Sequence, residues 1–238
     1  MNAGRGPVTR LPSHLCAQAL HYLLFAYRGG QLLRRRPTLG GHRWPAFGNP
    51  GDGIALTIDD GPHPTWTPPM LDLLDAHGVR ATFFLIGDRV REHPELARRV
   101  LAAGHLIGNH SMTHPQPFAA LPRPMLRAEI DRTQREIEDA TGITPRLFRA
   151  PGGNWSPAVL RTTVDSGLTP VDWTVNPSDW RSPGVERITR TLSRTRPGQI
   201  ILCHDGGGDR SQTLAALTAV IPRLIGRGLR FVTVAEDR

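Results

Sequence analysis

The sequence predicts an α/β fold on a parallel sheet, and three observations carry that expectation. Seven apolar runs of strand length follow one another, helical stretches separate them, and glycines fall where those helices should stop. The runs are "IALTI" from Ile54, "ATFFLI" from Ala81, "HLIGN" from His105, "RLFRA" from Arg146, "LTPVDW" from Leu168, "QIILCH" from Gln199 and "RFVTVA" from Arg230. Short apolar runs bounded by turn residues are what strands buried on both faces look like. Seven of them in 238 residues suggest a compact or incomplete barrel, with an open doubly wound sheet as the alternative.

Helices are expected over residues 67–77, 94–103, 122–140, 157–166, 184–194 and 211–227. Gly78, Gly104, Gly142, Gly167 and Gly228 each stand where a left-handed C-terminal cap would end such a helix. Residues 1–52 differ in kind: they are rich in Gly, Pro and Arg, and read as an N-terminal helical and loop extension to a domain over 53–238. Within the extension, residues 15–27 form an apolar stretch interrupted by Gln18, His21 and Tyr22. The stretch is too short to span a bilayer and no small-residue cleavage site follows it. It is expected to be an amphipathic helix docking on the domain, a membrane surface or the cell wall, with a degenerate export signal as the alternative.

Lys and Arg number 29 against 21 Asp and Glu, a formal charge of +8. A basic surface suits nucleic acid, an anionic membrane or an anionic polymer such as cell wall. Nucleic acid is not expected, because no basic run is interleaved with aromatic residues. Cys16 and Cys203 have neither metal-like spacing nor a disulfide framework, and Cys203, inside "QIILCH", reads as a buried inert thiol. The reading favours a monomer and a cell-wall or extracellular location over a cytoplasmic one.

In parallel α/β folds, chemistry gathers at the carboxyl ends of the strands. Five such ends carry reactive residues: Asp59 and Asp60, then His110 and His114, then Arg149, then Asp179 and Trp180, and last His204 and Asp205. The adjacent acids need compensation, since neighbouring like charges oppose ionisation. A cation would supply it: "NHSMTHP" offers two histidines, and Pro115 and Pro117 favour a turn that presents both. Two imidazoles and a carboxylate leave coordination positions open, the mark of a catalytic site. Zinc is the default, and the same set also suits ferrous iron. Arg149 is the candidate to hold the second carboxylate.

"TIDDGP", "HSMTH", "RAPGG", "NPSDW" and "ILCHD", in this order, resemble the five motifs of the polysaccharide deacetylases, carbohydrate esterase family four, over roughly residues 54–234. The resemblance implies a distorted (β/α)7 barrel and a hydrolase that uses a divalent metal, Zn2+ or Co2+ among others, to remove acetyl groups from an acetylated carbohydrate. It implies Asp59 as catalytic base and Asp60, His110 and His114 as metal ligands. Arg149 would position the base, His204 would be the general acid, and Asp179 would orient it. Gly152 would offer its N–H to the oxyanion, Trp180 would form an aromatic wall and Leu202 would line the acetyl-methyl pocket. The sequence departs from the pattern at Gly152, where the family usually has an aromatic residue after the proline of the third motif. N-acetylated sugars of peptidoglycan or chitin type lead the substrates, with O-acetyl esters such as xylan as the alternative.

Other classes use parts of this constellation. A ferrous dioxygenase needs only the triad and leaves Arg149, Asp179 and His204 without roles. A non-catalytic carbohydrate-binding module would have lost catalytic residues that are all present. A receiver-like phosphoacceptor leaves the histidine pair unexplained.

Overall fold

The computed structural model of the chain describes residues 50–234, together with the backbone of residues 38–39 and 42–43. The helix expected over residues 15–27 lies outside them. Thr38–Leu39 pairs antiparallel with His42–Arg43, in a unit separate from the one that holds the sheet.

Seven strands make one parallel sheet: β1 (Ile54–Asp59), β2 (Thr82–Leu85), β3 (Leu106–Asn109), β4 (Leu147–Phe148), β5 (Thr169–Pro170), β6 (Ile200–His204) and β7 (Phe231–Val232). Their order is β5-β4-β3-β2-β1-β6, and β7 pairs with the amino end of β1. Beyond β5 the chain meets β6 through one parallel bridge, Val175 opposite Ile201, so the sheet curls round on itself. The result is a distorted (β/α)7 barrel rather than the open sheet.

Among the described residues seven helices alternate with the strands: α1 (Thr67–Ala76), α2 (Gly87–Glu92), α3 (Pro94–Ala102), α4 (Arg123–Thr141), α5 (Pro157–Asp165), α6 (Val185–Leu192) and α7 (Ser211–Gly226). Four of them, α1, α3, α4 and α5, carry proline in the first turn, where its missing N–H costs nothing. All five glycines expected as C-terminal caps have positive φ, from 61° to 80°. Helix α2 was not expected from the sequence: six residues are too few for a helical period to show. Among the described residues no helix is long and apolar enough to cross a membrane.

Alternation along the strands builds two cores. Ile54, Leu56, Ile58, Phe83, Leu85, Ile201 and Cys203 face outward and pack with Leu74, Leu217 and Val220 of the helices. Ala55, Phe84, Leu147, Val171 and Ile200 form a smaller cluster inside the curl. Each such fully buried aliphatic or aromatic side chain contributes about 1.5–3 kcal/mol. The inward set continues with Thr57 and Asp59 on β1 and with Leu202 and His204 on β6. Asp59 and His204 stand opposite each other in the register, so both inner faces turn polar at the same end of the barrel.

Candidate active site

The acidic pair is divided by the backbone. Strand geometry ends at Asp59, and Asp60 adopts φ 75°, a left-handed conformation that few residues other than glycine take. The twist brings both carboxylates to one site instead of sending them to opposite faces of the strand. The neighbouring loop interlocks with this turn: a Cβ on Gly206 would come within 2.1 Å of the Asp60 carbonyl oxygen. Ser111 and His114, in the histidine turn, also have positive φ, at 66° and 53°. Strained backbone of this kind persists only where its surroundings fix it. The first residues of α2 do so, Gly87 N–H donating to the Ser111 carbonyl at 3.0 Å and Asp88 N–H to that of Met112 at 2.9 Å. Asn109 Oδ1 accepts from Ser111 N–H, and its Nδ2 ties the turn to Ile130 and Gln134 of α4.

Asp60, His110 and His114 converge. Nε2 of each histidine lies 3.4 Å from Asp60 Oδ1, and the three donor atoms all fall within 4.8 Å of one another. His110 Nδ1 donates to the Arg149 carbonyl at 2.8 Å, so in the neutral ring Nε2 carries the lone pair. Burial, then the charge of His110, lowers the His114 pKa to about 4, so this imidazole is neutral at neutral pH. Burial acts to raise the Asp60 carboxyl, but its interaction with His110 and the charges of His204, His110 and His114 outweigh that and hold it below the ordinary carboxylate range. Asp60 Oδ1 is buried without a well-formed hydrogen bond. An orphaned carboxylate oxygen between two imidazole lone pairs fits a divalent cation. Donors around a tetrahedral zinc stand roughly 3.3–3.4 Å apart, which is the distance of each imidazole Nε2 from Asp60 Oδ1.

Asp59 is compensated differently. Arg149, fully buried inside the curl, donates through Nη1 to Asp59 Oδ1 and to Thr57 Oγ1, both at 2.7 Å. Its Nη2 donates to the Asp172 carbonyl at 3.1 Å, and its guanidinium lies 4.3 Å from the Phe84 ring centre and 5.6 Å from that of Trp173. A buried charge is tolerable when paired and hydrogen-bonded in this way. Asp59 Oδ2 is left 3.7 Å from His110 Nε2, beside the donor triad but outside it.

Across the mouth, His204 Nδ1 donates to Asp179 Oδ1 at 2.9 Å, while Asp179 Oδ2 accepts from the His204 N–H and from the Thr213 hydroxyl. Burial disfavours the charged imidazole, yet the hydrogen bond and charge of Asp179, with Asp60 and Asp59 behind, raise its pKa to about 8. Leu202 is buried on the same inner face. Trp180, next to Asp179 in a single 3-10 turn, is 45% exposed with the Arg181 guanidinium 4.5 Å over its ring. Gly152 sits at φ 60° after Pro151, and a Cβ there would lie 3.2 Å from the amide nitrogens of Gln116 and Asn154. Two carboxamides thus stand where an aromatic side chain would begin. Trp155 is buried and packs edge-on against Phe148, and the half-buried Trp173 packs against the inner cluster.

Of the residues singled out in the sequence, Asp59, Asp60, His110, His114, Arg149, Asp179 and His204 come together at the carboxyl ends of the strands, whereas Asp205 accepts from the Thr67 hydroxyl. Thr57 and Thr213 were missed. Thr57 stands two residues before Asp59 on the same strand face, a signal open to a period-two reading. Thr213 lies in a helix far along the chain, and nothing near it in sequence marks it.

Residues 48–171 match the family model for polysaccharide deacetylases. The chain is 44% identical over 192 residues to a peptidoglycan-N-acetylglucosamine deacetylase of Bacillus cereus, an alignment covering 77% of this chain and 86% of that one. It is 41% identical over 195 residues to a chitooligosaccharide deacetylase of Sinorhizobium fredii, covering 77% and 91%. A family 4 carbohydrate esterase from Streptomyces lividans, solved with acetate, superposes with a TM-score of 0.72 at 36% identity, covering 78% of this chain and 94% of that one.

Proposed function

Because the chain belongs to the polysaccharide deacetylase family, we propose that it removes acetyl groups from N-acetylated amino sugars, in peptidoglycan or chitin-like oligosaccharides, with metal assistance. One observation carries the proposal: a lone-pair triad of Asp60, His110 and His114 lies between a carboxylate fixed by Arg149 and an imidazole held protonated by Asp179.

Asp60, His110 and His114 would hold the cation, zinc being the default for this donor set. A divalent cation there supplies Lewis-acid chemistry, polarising an acyl carbonyl and acidifying water. Asp59 would take the proton of the attacking water; in support, Arg149 fixes one of its oxygens and leaves the other beside the triad. The Gly152 N–H is the candidate donor to the oxyanion that develops on the acetyl oxygen. An amine leaves poorly unless protonated, so His204, charged at neutral pH, gives its Nε2 proton as the C–N bond breaks. Asp179, itself steadied by Thr213, retains the Nδ1 proton and so leaves Nε2 as the donating atom. Leu202 is assigned to the acetyl methyl group and Trp180 to the wall of the cleft. A cell-wall or extracellular location goes with such a substrate, and fractionation of producing cells checks it.

The test is acetate release from chito-oligosaccharides and peptidoglycan, before and after chelation and after adding back zinc or cobalt. Loss on chelation and recovery with metal are expected. Full activity in rigorously metal-free protein overturns the metal assignment, and no acetate from any N-acetylated glycan overturns the reaction.

A further inference from the structure

The floor of the barrel, at the amino ends of the strands, is built from segments that are bound together. There β6 begins with Ile200 opposite Ala55, and β7 begins with Phe231 opposite Ile54. Gly198 N–H donates to the Gly53 carbonyl at 2.7 Å, and Ile54 N–H to that of Arg230 at 2.9 Å. Arg227 donates through Nη1 to the Ser193 carbonyl at 2.5 Å and through Nη2 to that of Thr195 at 3.2 Å. These segments carry a basic surface. Arg194, Arg196, Arg227 and Arg230 are all exposed, and so is Arg223, one turn earlier on α7. Residues 50–53, 193–199 and 226–230 hold a single acid, Asp52.

On the flanks of the domain, Arg89, Arg99, Arg127 and Arg190 each pair with an aspartate or glutamate. Among the described residues none of the five floor arginines is in an ion pair. A guanidinium keeps its charge at any ordinary pH, so the floor presents an uncompensated positive field. Apolar groups lie within it. Ile225, between Arg223 and Arg227 in the chain, is 42% exposed, and Pro197 and Pro222 are exposed as well. The chain also enters the domain here, since residue 50 leads directly into the amino end of β1. The N-terminal extension is thereby tethered to this face, with its apolar stretch over residues 15–27 and the run of Arg34, Arg35 and Arg36.

We propose that the floor of the barrel is a docking face for an anionic phospholipid surface. Exposed arginine forks would meet the headgroup phosphates, and Ile225 would enter the boundary between headgroups and acyl chains. A soluble polyanion would use the charge and leave both Ile225 and the tethered apolar stretch without a role. His204 stands four residues beyond Ile200 on β6, roughly 13 Å further from the docked face. Docking by the floor therefore holds the mouth away from the lipid and open to solvent.

The test measures binding of the full chain to vesicles made of equal parts phosphatidylcholine and phosphatidylglycerol. Wild-type protein is expected to bind them, to ignore vesicles of phosphatidylcholine alone, and to bind less as salt is added. The triple variant Arg194→Gln, Arg196→Gln, Arg230→Gln should bind roughly 100-fold more weakly. A control that removes the same charge from the helix flanks, Arg132→Gln, Arg135→Gln, Arg187→Gln, should stay within about threefold of wild type. Circular dichroism checks the fold of each variant. Arg230→Gln alone, expected to weaken binding roughly 5-fold, carries the test if the triple variant does not fold. Wild-type affinity in the floor variants places any vesicle binding in the extension and overturns the proposal, as does an equal loss in the control. Binding to soluble poly(glycerol phosphate) as tight as to the vesicles assigns the face to a polyanion and overturns it too.

Discussion

Strand β3 is flanked by a histidine at each end, and the two are opposite in kind. His105 lies at the amino end and His110 at the carboxyl end, both buried. Nδ1 of His105 meets a backbone N–H, that of Ala81 at 3.2 Å, and must accept. Nδ1 of His110 meets a backbone carbonyl, that of Arg149 at 2.8 Å, and must donate. The proton of His105 therefore sits on Nε2, which has no partner, while its ring rests 5.1 Å from that of Phe83. Burial, then the Arg80 charge, lowers its pKa to about 4. At the other end the lone pair of His110 Nε2 is free for Asp60's neighbourhood. A single backbone group decides which histidine can be a ligand. His204 adds a third case: it too is buried, but an aspartate on Nδ1 raises its pKa to about 8. Burial disfavours the charged form of an imidazole, and its Nδ1 partner sets whether Nε2 is left with a proton or a lone pair.

The largest expected effect tests His204. Its replacement by alanine should cut amide turnover by roughly 10²- to 10⁴-fold, with a much smaller loss on an activated ester whose leaving group needs little protonation. Equal losses on both substrates would assign it a structural role. Next, Arg149→Met should destabilise the fold by about 3–5 kcal/mol, since Asp59 would be left as an uncompensated buried charge. Urea unfolding reads this directly, and a change below about 1 kcal/mol would place the site's main compensation elsewhere.

Acidity sharpens the contrast between the two ends. If His204 is the general acid, turnover should fall as pH rises through about 8, where it loses its proton. Stability should respond in opposite directions at the two residues. Protonated His204 contributes stability that is whole below the ordinary value of 6.5 and is lost as pH rises through about 8. Neutral His105 contributes stability that is whole above 6.5 and is lost as pH falls through about 4. The smallest effect is expected from His105→Asn, whose Oδ1 can still accept from Ala81. Acetate release should stay within about twofold of wild type, as for substitutions away from a site, and the acid unfolding midpoint should move to lower pH. A large loss of turnover would mean that the floor of the barrel is coupled to its mouth.

The sequence carried what periodicity and chain punctuation can carry. Apolar runs, glycine caps and reactive residues at strand ends were enough to place the sheet and to draw Asp59, His110, Arg149 and His204 to one end of it. Helix α2 escaped because one and a half turns show no period, although its first N–H groups hold the histidine turn. The Arg149 sandwich between Phe84 and Trp173, and the Thr213 bond to Asp179, join residues distant in the chain. No local pattern encodes such contacts. The gap expected at Gly152 is also partly filled, by the Gln116 and Asn154 amides, which only the loop conformation brings there.

The central claim is that the left-handed backbone at Asp60 gives two adjacent carboxylates separate duties, one as cation ligand and one as base. Metal content by mass spectrometry, read beside acetate release for two nearly isosteric variants, tests it most directly. Asp60→Asn should lose the metal, because a neutral amide oxygen is a poorer ligand. Asp59→Asn should keep the metal and lose most turnover, because an amide cannot accept the proton of water. Retention of metal by Asp60→Asn together with its loss from Asp59→Asn would contradict the account.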